Sequence, residues 1–280
     1  MFNSPGLFAG TGRSCLLIMK PLISFLLILS FINAQSQTQL DSCADSIKNI
    51  NADGTKKKSH ILLKSAIGIG YVSATLLCYR YLDTPIQDES QEGKTSLKTG
   101  MATSVERLGL GKYNTIGLVS TTLFAYLTKN KKLQETSWPW CGSLIVNSIA
   151  TDGLKKTFQR HRPNTGDPYN TFDWAGGPKV NESFPSANTS NAFTTATVFA
   201  TMYKDKKWVP PLAYGLATLV GVSRIYNNGH WASDVMAGAA VGFLSAKGVI
   251  ALYKFTSKKH IFVVPQIGQK FSSVNLIYTF

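Results

Sequence analysis

The sequence predicts an all-α protein: a helical bundle of about six core helices with a short C-terminal β-hairpin. Three observations predict it. Small and apolar residues recur in blocks of helical length broken by turn residues. Strand-like alternation is missing until residue 261. Hydrophobic residues make up 44% of the chain and charged residues 16%, against about 25% charged in an ordinary soluble domain. That balance excludes a disordered chain, and 4 cysteines in 280 residues exclude a disulfide-stapled miniprotein.

The elements follow in order. Met19-Lys20-Pro21, the apolar run Leu22–Ala34 and the polar Gln35-Ser36-Gln37 form a secretory signal cut after Ala34, with residues 1–18 an upstream extension. The apolar run is shorter than the roughly 20 residues of a membrane span. Residues 35–60 are polar, end in Lys56-Lys57-Lys58 and read as a tether. Residues 61–255 form one helical domain with blocks at Ile61–Leu82, Ser96–Leu108, Tyr113–Thr128, Ser137–Gln159, Thr189–Tyr203, Trp208–Tyr226 and His230–Tyr253. Their many Ala, Gly, Ser and Thr residues allow close helix packing. In the tail, 256–280, Ile261–Val264 and Val274–Phe280 supply the hairpin. Once the signal is removed Cys43, Cys78 and Cys141 remain, structural residues with at most one disulfide.

The long non-helical stretch runs from Pro163 to Ser186. A loop of this length inside a helical domain is commonly functional, and Tyr169, Phe172 and Trp174 shape its surface. Lys plus Arg is 29 against 15 for Asp plus Glu, a net charge of +14. That excess asks for nucleic acid, a lipid surface or a phosphorylated substrate. Its distribution is geometric. Lys56–Lys58, Lys129–Lys132, Lys204–Lys207 and Lys258–Lys259 fall at one class of helix end. An up-and-down bundle puts Arg160–Pro163, Ser186 and Arg224–His230 at the other, which in a polytopic protein is the positive-inside pattern.

Three stretches carry chemistry. In Lys155-Lys156-Thr157-Phe158-Gln159-Arg160-His161-Arg162-Pro163, Lys155 and Arg162 are seven apart, within about 20° on a helix. An ammonium and a planar guanidinium then converge where Pro163 stops the helix, suited to phosphate oxygens. Basic residues at a helix C-terminus also serve the dipole, so this stretch alone decides little. In Phe184-Pro185-Ser186-Ala187-Asn188-Thr189, Ser186 and the free N–H groups of a helix start offer a second anion cradle, or ordinary capping. In Ser223-Arg224-Ile225-Tyr226-Asn227-Asn228-Gly229-His230-Trp231-Ala232-Ser233-Asp234, a turn separates two helices. His230 opens the second, and Asp234 lies one turn on. Its carboxylate can take one imidazole nitrogen and leave the other as a nucleophile.

Taken in order, Lys-x6-Arg-Pro, Pro-Ser and Ser-Arg-x5-His-x3-Asp resemble the signature of the type 2 phosphatidic acid phosphatase and vanadium haloperoxidase superfamily. The resemblance covers roughly residues 61–255 and implies an all-helical phosphatase of lipid or prenyl (di)phosphates that needs no metal or other cofactor. It implies that Lys155, Arg162, Ser186, the Ala187 N–H and Arg224 bind phosphate. It implies that His230 forms a phosphohistidine oriented by Asp234. The second motif departs from the family: Pro-Ser-Gly-His is usual, and this chain has Asn188 where the histidine acts as general acid. Asparagine has no proton to transfer, and general acid catalysis is typically worth about 10²–10⁴ in rate. The resemblance therefore leaves two outcomes, a weakened enzyme or phosphate binder, or a preference for diphosphates, whose leaving group needs little protonation. His161 is disfavoured as a substitute acid because Arg162 opposes its charged form.

The partners expected are a phosphorylated lipid or small molecule and an anionic membrane surface. Nucleic acid is not expected, since no recognition motif is present. The location expected is exported, periplasmic and membrane-associated, with a multi-pass inner-membrane bundle facing its site to the periplasm as the alternative.

Overall fold

Helix α1, Gly54–Leu77, begins seven residues before Ile61 and runs through a π-helical turn, Cys78–Leu82, into α2, Asp83–Gln91. This computed structural model describes residues 54–175, 182–258, 261–267 and 272–278. The signal peptide expected at residues 1–34, the tether up to residue 53 and Cys43 lie outside the described residues. The sequence blocks contain no counterpart of α2, because Asp-Thr-Pro-Ile-Gln-Asp-Glu-Ser-Gln has no apolar stripe. Pro85 costs it no hydrogen bond, since the first N–H groups of a helix lack intrahelical acceptors. Burial of Asp83 and Gln87 holds it in place.

Helix α3, Ser96–Glu106, is capped by Thr95, whose side chain accepts from the Lys98 N–H, and passes through a 3-10 turn, Arg107–Gly109, to α4, Gly111–Leu127. Helix α5, Lys131–Phe158, is capped by Asn130 and stopped by Gln159 in the left-handed region, φ 44°. Then come α6, Ala187–Met202, α7, Val209–Tyr226, and α8, Ala232–Lys258. Pro210 and Pro211 fall in the first turn of α7, where proline is tolerated. The C-terminal backbone pairs Ile261–Ile267 with Ser272–Tyr278 antiparallel, but the helices set the all-α class.

Helix α6 is the axis of the bundle, packed by α5, α7 and α8. It approaches α8 closely enough that a Cβ on Gly238 would sit 2.5 Å from the Ser186 carbonyl oxygen, and one on Gly242 would strike that of Ser190. The interior combines apolar clusters around Phe193 and Tyr214 and around Trp140 and Ile250 with buried small polar residues. Ser190 donates to Asn147, and Asn147 Nδ2 donates to Asn191 Oδ1 at 2.9 Å. Thr194 and Thr197 are fully buried on the same helix. The outside is apolar: Ile67, Ile69 and Val72 on α1, Ile116, Val119 and Leu123 on α4, Ile145 and Ile149 on α5, and Leu212, Leu216 and Leu219 on α7 are all exposed. Among the described residues one helix, Ala232–Ser257, is long and apolar enough to cross a membrane.

The antiparallel run of α5 to α8 brings the end of α5, the start of α6, the end of α7 and the start of α8 together. At the other end the Lys132 ammonium lies 5.7 Å over the Tyr203 ring, so the lysine clusters after α4 and after α6 share that end.

Candidate active site

Arg162 lies outside helix α5, in extended backbone with φ −84° and ψ 155°. The seven-residue helical spacing therefore does not bring it to Lys155, because Gln159 turns the chain first. The shared partner is a carbonyl: Glu182 O accepts from Lys155 Nζ and, at 3.3 Å, from Arg162 Nη2. Arg162 Nη1 also reaches Gly229 O at 3.4 Å, tying the first basic stretch to the third. Burial, and then the charge of Arg224 nearby, disfavour the protonated form of Arg162. The loop that carries Glu182 is pinned at its base, where the Ser183 N–H donates to Arg160 O and the His161 N–H to Thr171 O. Phe172 stacks on Trp174, and Tyr169 meets the edge of Tyr79.

Ser186 is fully buried immediately before α6. Its N–H donates to Asp234 O at 3.0 Å, joining the second stretch to the third. Its hydroxyl does not cap α6 and instead accepts from Thr189 Oγ1 at 3.0 Å. The first N–H groups of α6, at Ala187 and Asn188, are left without a side-chain cap, which is the arrangement that receives an anion.

His230 sits in the turn before α8 rather than in its first turn, and is 3% exposed. Asp234 Oδ2 is 3.8 Å from its Nδ1, beyond hydrogen-bond distance. Ser183 stands between them: its hydroxyl donates to Asp234 Oδ2 at 2.6 Å and lies 3.4 Å from Nδ1. With that proton committed to the carboxylate, Ser183 accepts from Nδ1–H, and this network assigns the lone pair to Nε2. Burial pushes the His230 imidazole down to about 3, so it is neutral at pH 7.

Behind His230 lies a charged core that the sequence patterns did not anticipate. Arg160 is 1% exposed and uses every donor. Nη1 donates to Asp234 Oδ1 at 2.6 Å and Ser233 Oγ at 2.8 Å, and Nη2 to Asp83 Oδ2 and Tyr169 O, each at 2.7 Å. Nε donates to Tyr169 O at 2.9 Å. The Tyr79, Phe172 and Trp231 rings surround its guanidinium at 5.0 to 5.6 Å. Asp83 in turn accepts from the Ser233 N–H at 2.8 Å. No local signal marks Asp83, which is 77 residues from Arg160.

On the opposite side, Arg224 at the end of α7 pairs with Glu106 at the end of α3. The same carboxylate accepts from Asn188 Nδ2 at 3.4 Å and Asn227 Nδ2 at 2.6 Å. Arg224 Nε is buried without a hydrogen-bond partner among the described residues. His161 points elsewhere, with Nδ1 at 2.7 Å from Asp167 and Nε2 at 3.1 Å from Asp173. The hydrogen bond to Asp167 raises its pKa, so the effect of Arg162 expected from sequence is outweighed. Among the described residues no group of three His, Cys, Asp or Glu side chains is placed to hold a metal ion.

An apolar groove of about 800 Å³ opens beside this end, between α4, α5, α6 and α7, lined by Leu108, Trp140, Phe199 and Leu216. It runs to Trp208 and Lys206 at the lysine-rich end. The groove is separate from the cationic cluster, but it begins next to Gly109, which packs against the Asn188 carbonyl.

Parts of the chain are similar to known proteins. The chain is 49% identical over 104 residues to Lipid A 1-phosphatase of Porphyromonas gingivalis, covering 37% of this chain and 20% of that protein. It is 34% identical over 121 residues to phosphatidylglycerophosphatase B of Bacillus subtilis, covering 38% and 54%. The chain thus spans from a fifth to about half the length of these curated relatives. The crystal structure of a transmembrane PAP2-type phosphatidylglycerolphosphate phosphatase from Bacillus subtilis covers 68% of this chain and 96% of its own, with TM-score 0.51 and 19% identity, a likeness of fold. Residues 136–258, which hold all three of the stretches that carry chemistry, match the family model of the PAP2 superfamily.

Proposed function

We propose that the protein is a lipid phosphatase that works through a phosphohistidine at His230. The observation that carries this is a neutral imidazole, its Nδ1 turned to Ser183 and Asp234, in the same end of the bundle where Arg162 reaches the neighbouring Gly229 carbonyl and shares the Glu182 carbonyl with Lys155. In this reading Lys155, Arg162, Arg224, Ser186 and the N–H of Ala187 hold the phosphoryl oxygens. His230 Nε2 attacks phosphorus as the ester oxygen leaves, and water then cleaves the P–N bond and releases phosphate. The charge that develops on the imidazole is stabilised through Ser183 by Asp234, which Arg160 fixes in place.

The substrate class rests on three supports. The relatives named above act on lipid A and on phosphatidylglycerophosphate. The apolar groove that begins next to Gly109 gives an acyl chain a place to lie. The apolar outer faces of the helices suit a lipid environment. With the lysine-rich end in the cytoplasm, the positive-inside rule sets the site at the periplasmic face.

The test is phosphate release from lipid A, phosphatidylglycerophosphate and a prenyl diphosphate in mixed micelles, with His230→Ala as control. Release from at least one of them, falling by about 10³-fold or more in His230→Ala, is the expected result, the scale of loss when a catalytic nucleophile is removed. No release from any, with inorganic phosphate still bound, identifies a non-catalytic phosphate binder instead.

A further inference from the structure

The departing ester oxygen needs a proton, and Asn188 at the site has none to give. His161 is committed to Asp167 and Asp173, and the two arginines do not release protons. Glu106 is a carboxyl group in contact with both Arg224 and Asn188. It comes from a different helix, α3, and meets Arg224, Asn188 and Asn227 together. Its Oε1 accepts from Asn188 Nδ2 at 3.4 Å, so a carboxyl group stands one contact past the asparagine. A second observation points to a ligand here. Arg224, 9% exposed, keeps a buried Nε with no partner among the described residues, a donor still available to a phosphoryl oxygen.

We infer that Glu106 is the general acid and base of the reaction, a role that rests on the phosphatase reading above. A phosphoryl group settling on Arg224 competes with Glu106 for the guanidinium, so substrate binding loosens the Arg224–Glu106 pair and frees the carboxyl group to face the ester oxygen. In the first half-reaction the His230 Nε2 lone pair forms the N–P bond while the P–O ester bond breaks. The oxygen leaves with that electron pair and takes the Glu106 proton, releasing the alcohol. In the second, a water oxygen bonds to phosphorus, its proton passes to the Glu106 carboxylate, and the P–N electron pair returns to Nε2. The sum is ester plus water to alcohol plus phosphate, with Glu106 again protonated. This chain then needs no histidine in its second motif and hydrolyses alkyl monoesters as well as diphosphates.

Leaving-group dependence tests this in the full-length protein in detergent micelles, with an alkyl phosphate monoester and p-nitrophenyl phosphate as paired substrates. Glu106→Gln keeps an acceptor for the two asparagines and removes the proton. It is expected to lower kcat for the alkyl ester about 10²–10⁴-fold and for the aryl ester less than about 10-fold, since an aryl oxide leaves without protonation. Retained aryl activity shows that the variant is folded. Asn188→His placed in the Glu106→Gln background restores alkyl hydrolysis by about 10-fold or more. Equal losses on both esters would make Glu106 a positioning residue for Arg224 and overturn the proposal. So would the selective alkyl loss appearing in Lys155→Met rather than Glu106→Gln. A wild-type protein inactive on both esters overturns the phosphatase reading itself, and this inference with it.

Discussion

Arg160 is a buried cation held between two buried carboxylates, Asp83 and Asp234, which belong to different helices. Its surroundings are worth little as isolated pairs, because desolvation offsets much of the attraction. Removing one partner is another matter, since it strands charge in a low-dielectric interior at about 3–5 kcal/mol. Arg160→Met is therefore expected to lower the thermal midpoint sharply and to slow phosphate release by freeing Asp234 and Ser183 from register. Asp83→Asn should lower the midpoint too, while leaving the Arg160–Asp234 pair and more of the activity. A thermal melt and an activity assay on the two variants check the order. At this scale the sequence exposed the residues set at fixed spacing: Lys155, Arg162, Ser186, Arg224, His230 and Asp234 do meet at one end of the bundle. It did not expose Asp83, Ser183 or Glu106. Each reaches the site through the fold and not through a local pattern: Glu106 is 82 residues from Asn188, and Asp83 is 77 from Arg160.

The elements were legible where periodicity was strong and lost where tertiary contact overrode it. Helices α4, α6 and α7 fall within two residues of the blocks read from the sequence, where turns and prolines mark their ends, while α5 begins six residues before its block and α8 runs five residues past its block. Helix α2 was invisible, being polar on every side and held by Asp83 and Gln87. Helix packing turns on small residues, and this yields a prediction. Gly242 on α8 lies so close to α6 that a Cβ there would strike the Ser190 carbonyl and come within 2.9 Å of the Thr194 N. Backbone cannot yield as a flexible side-chain tip does, so Gly242→Ala forces the two helices apart. Overpacking of this kind costs about 1–3 kcal/mol. Gly248→Ala, on the same helix with open space around its Cα, is expected to be neutral or slightly stabilising. Thermal melts of the pair in detergent separate the packing effect from helix propensity, and equal midpoints would refute the close-packed α6–α8 contact.

At the scale of the whole molecule, the described residues carry many exposed apolar side chains outside a core that is partly apolar and partly polar. Ser, Thr and Asn line the inside of α5 and α6, while Leu, Ile and Val occupy the outer faces of α1, α4, α5 and α7. The net charge of +14 allows a different route to a membrane, in which lysines at one end bind anionic headgroups. The two attachments respond differently to salt. Electrostatic binding is screened over about 3 Å at 1 M ionic strength, whereas apolar faces buried among acyl chains are indifferent to it. The exposed apolar faces extend over several helices and outweigh the lysine clusters at one end, so the expected behaviour is that of an embedded protein. Membranes from cells expressing the full chain should keep it in the pellet through washes in 1 M salt and in alkaline carbonate, and give it up to detergent. Release by salt alone would assign attachment to the lysines and leave the apolar faces to be covered by another protein.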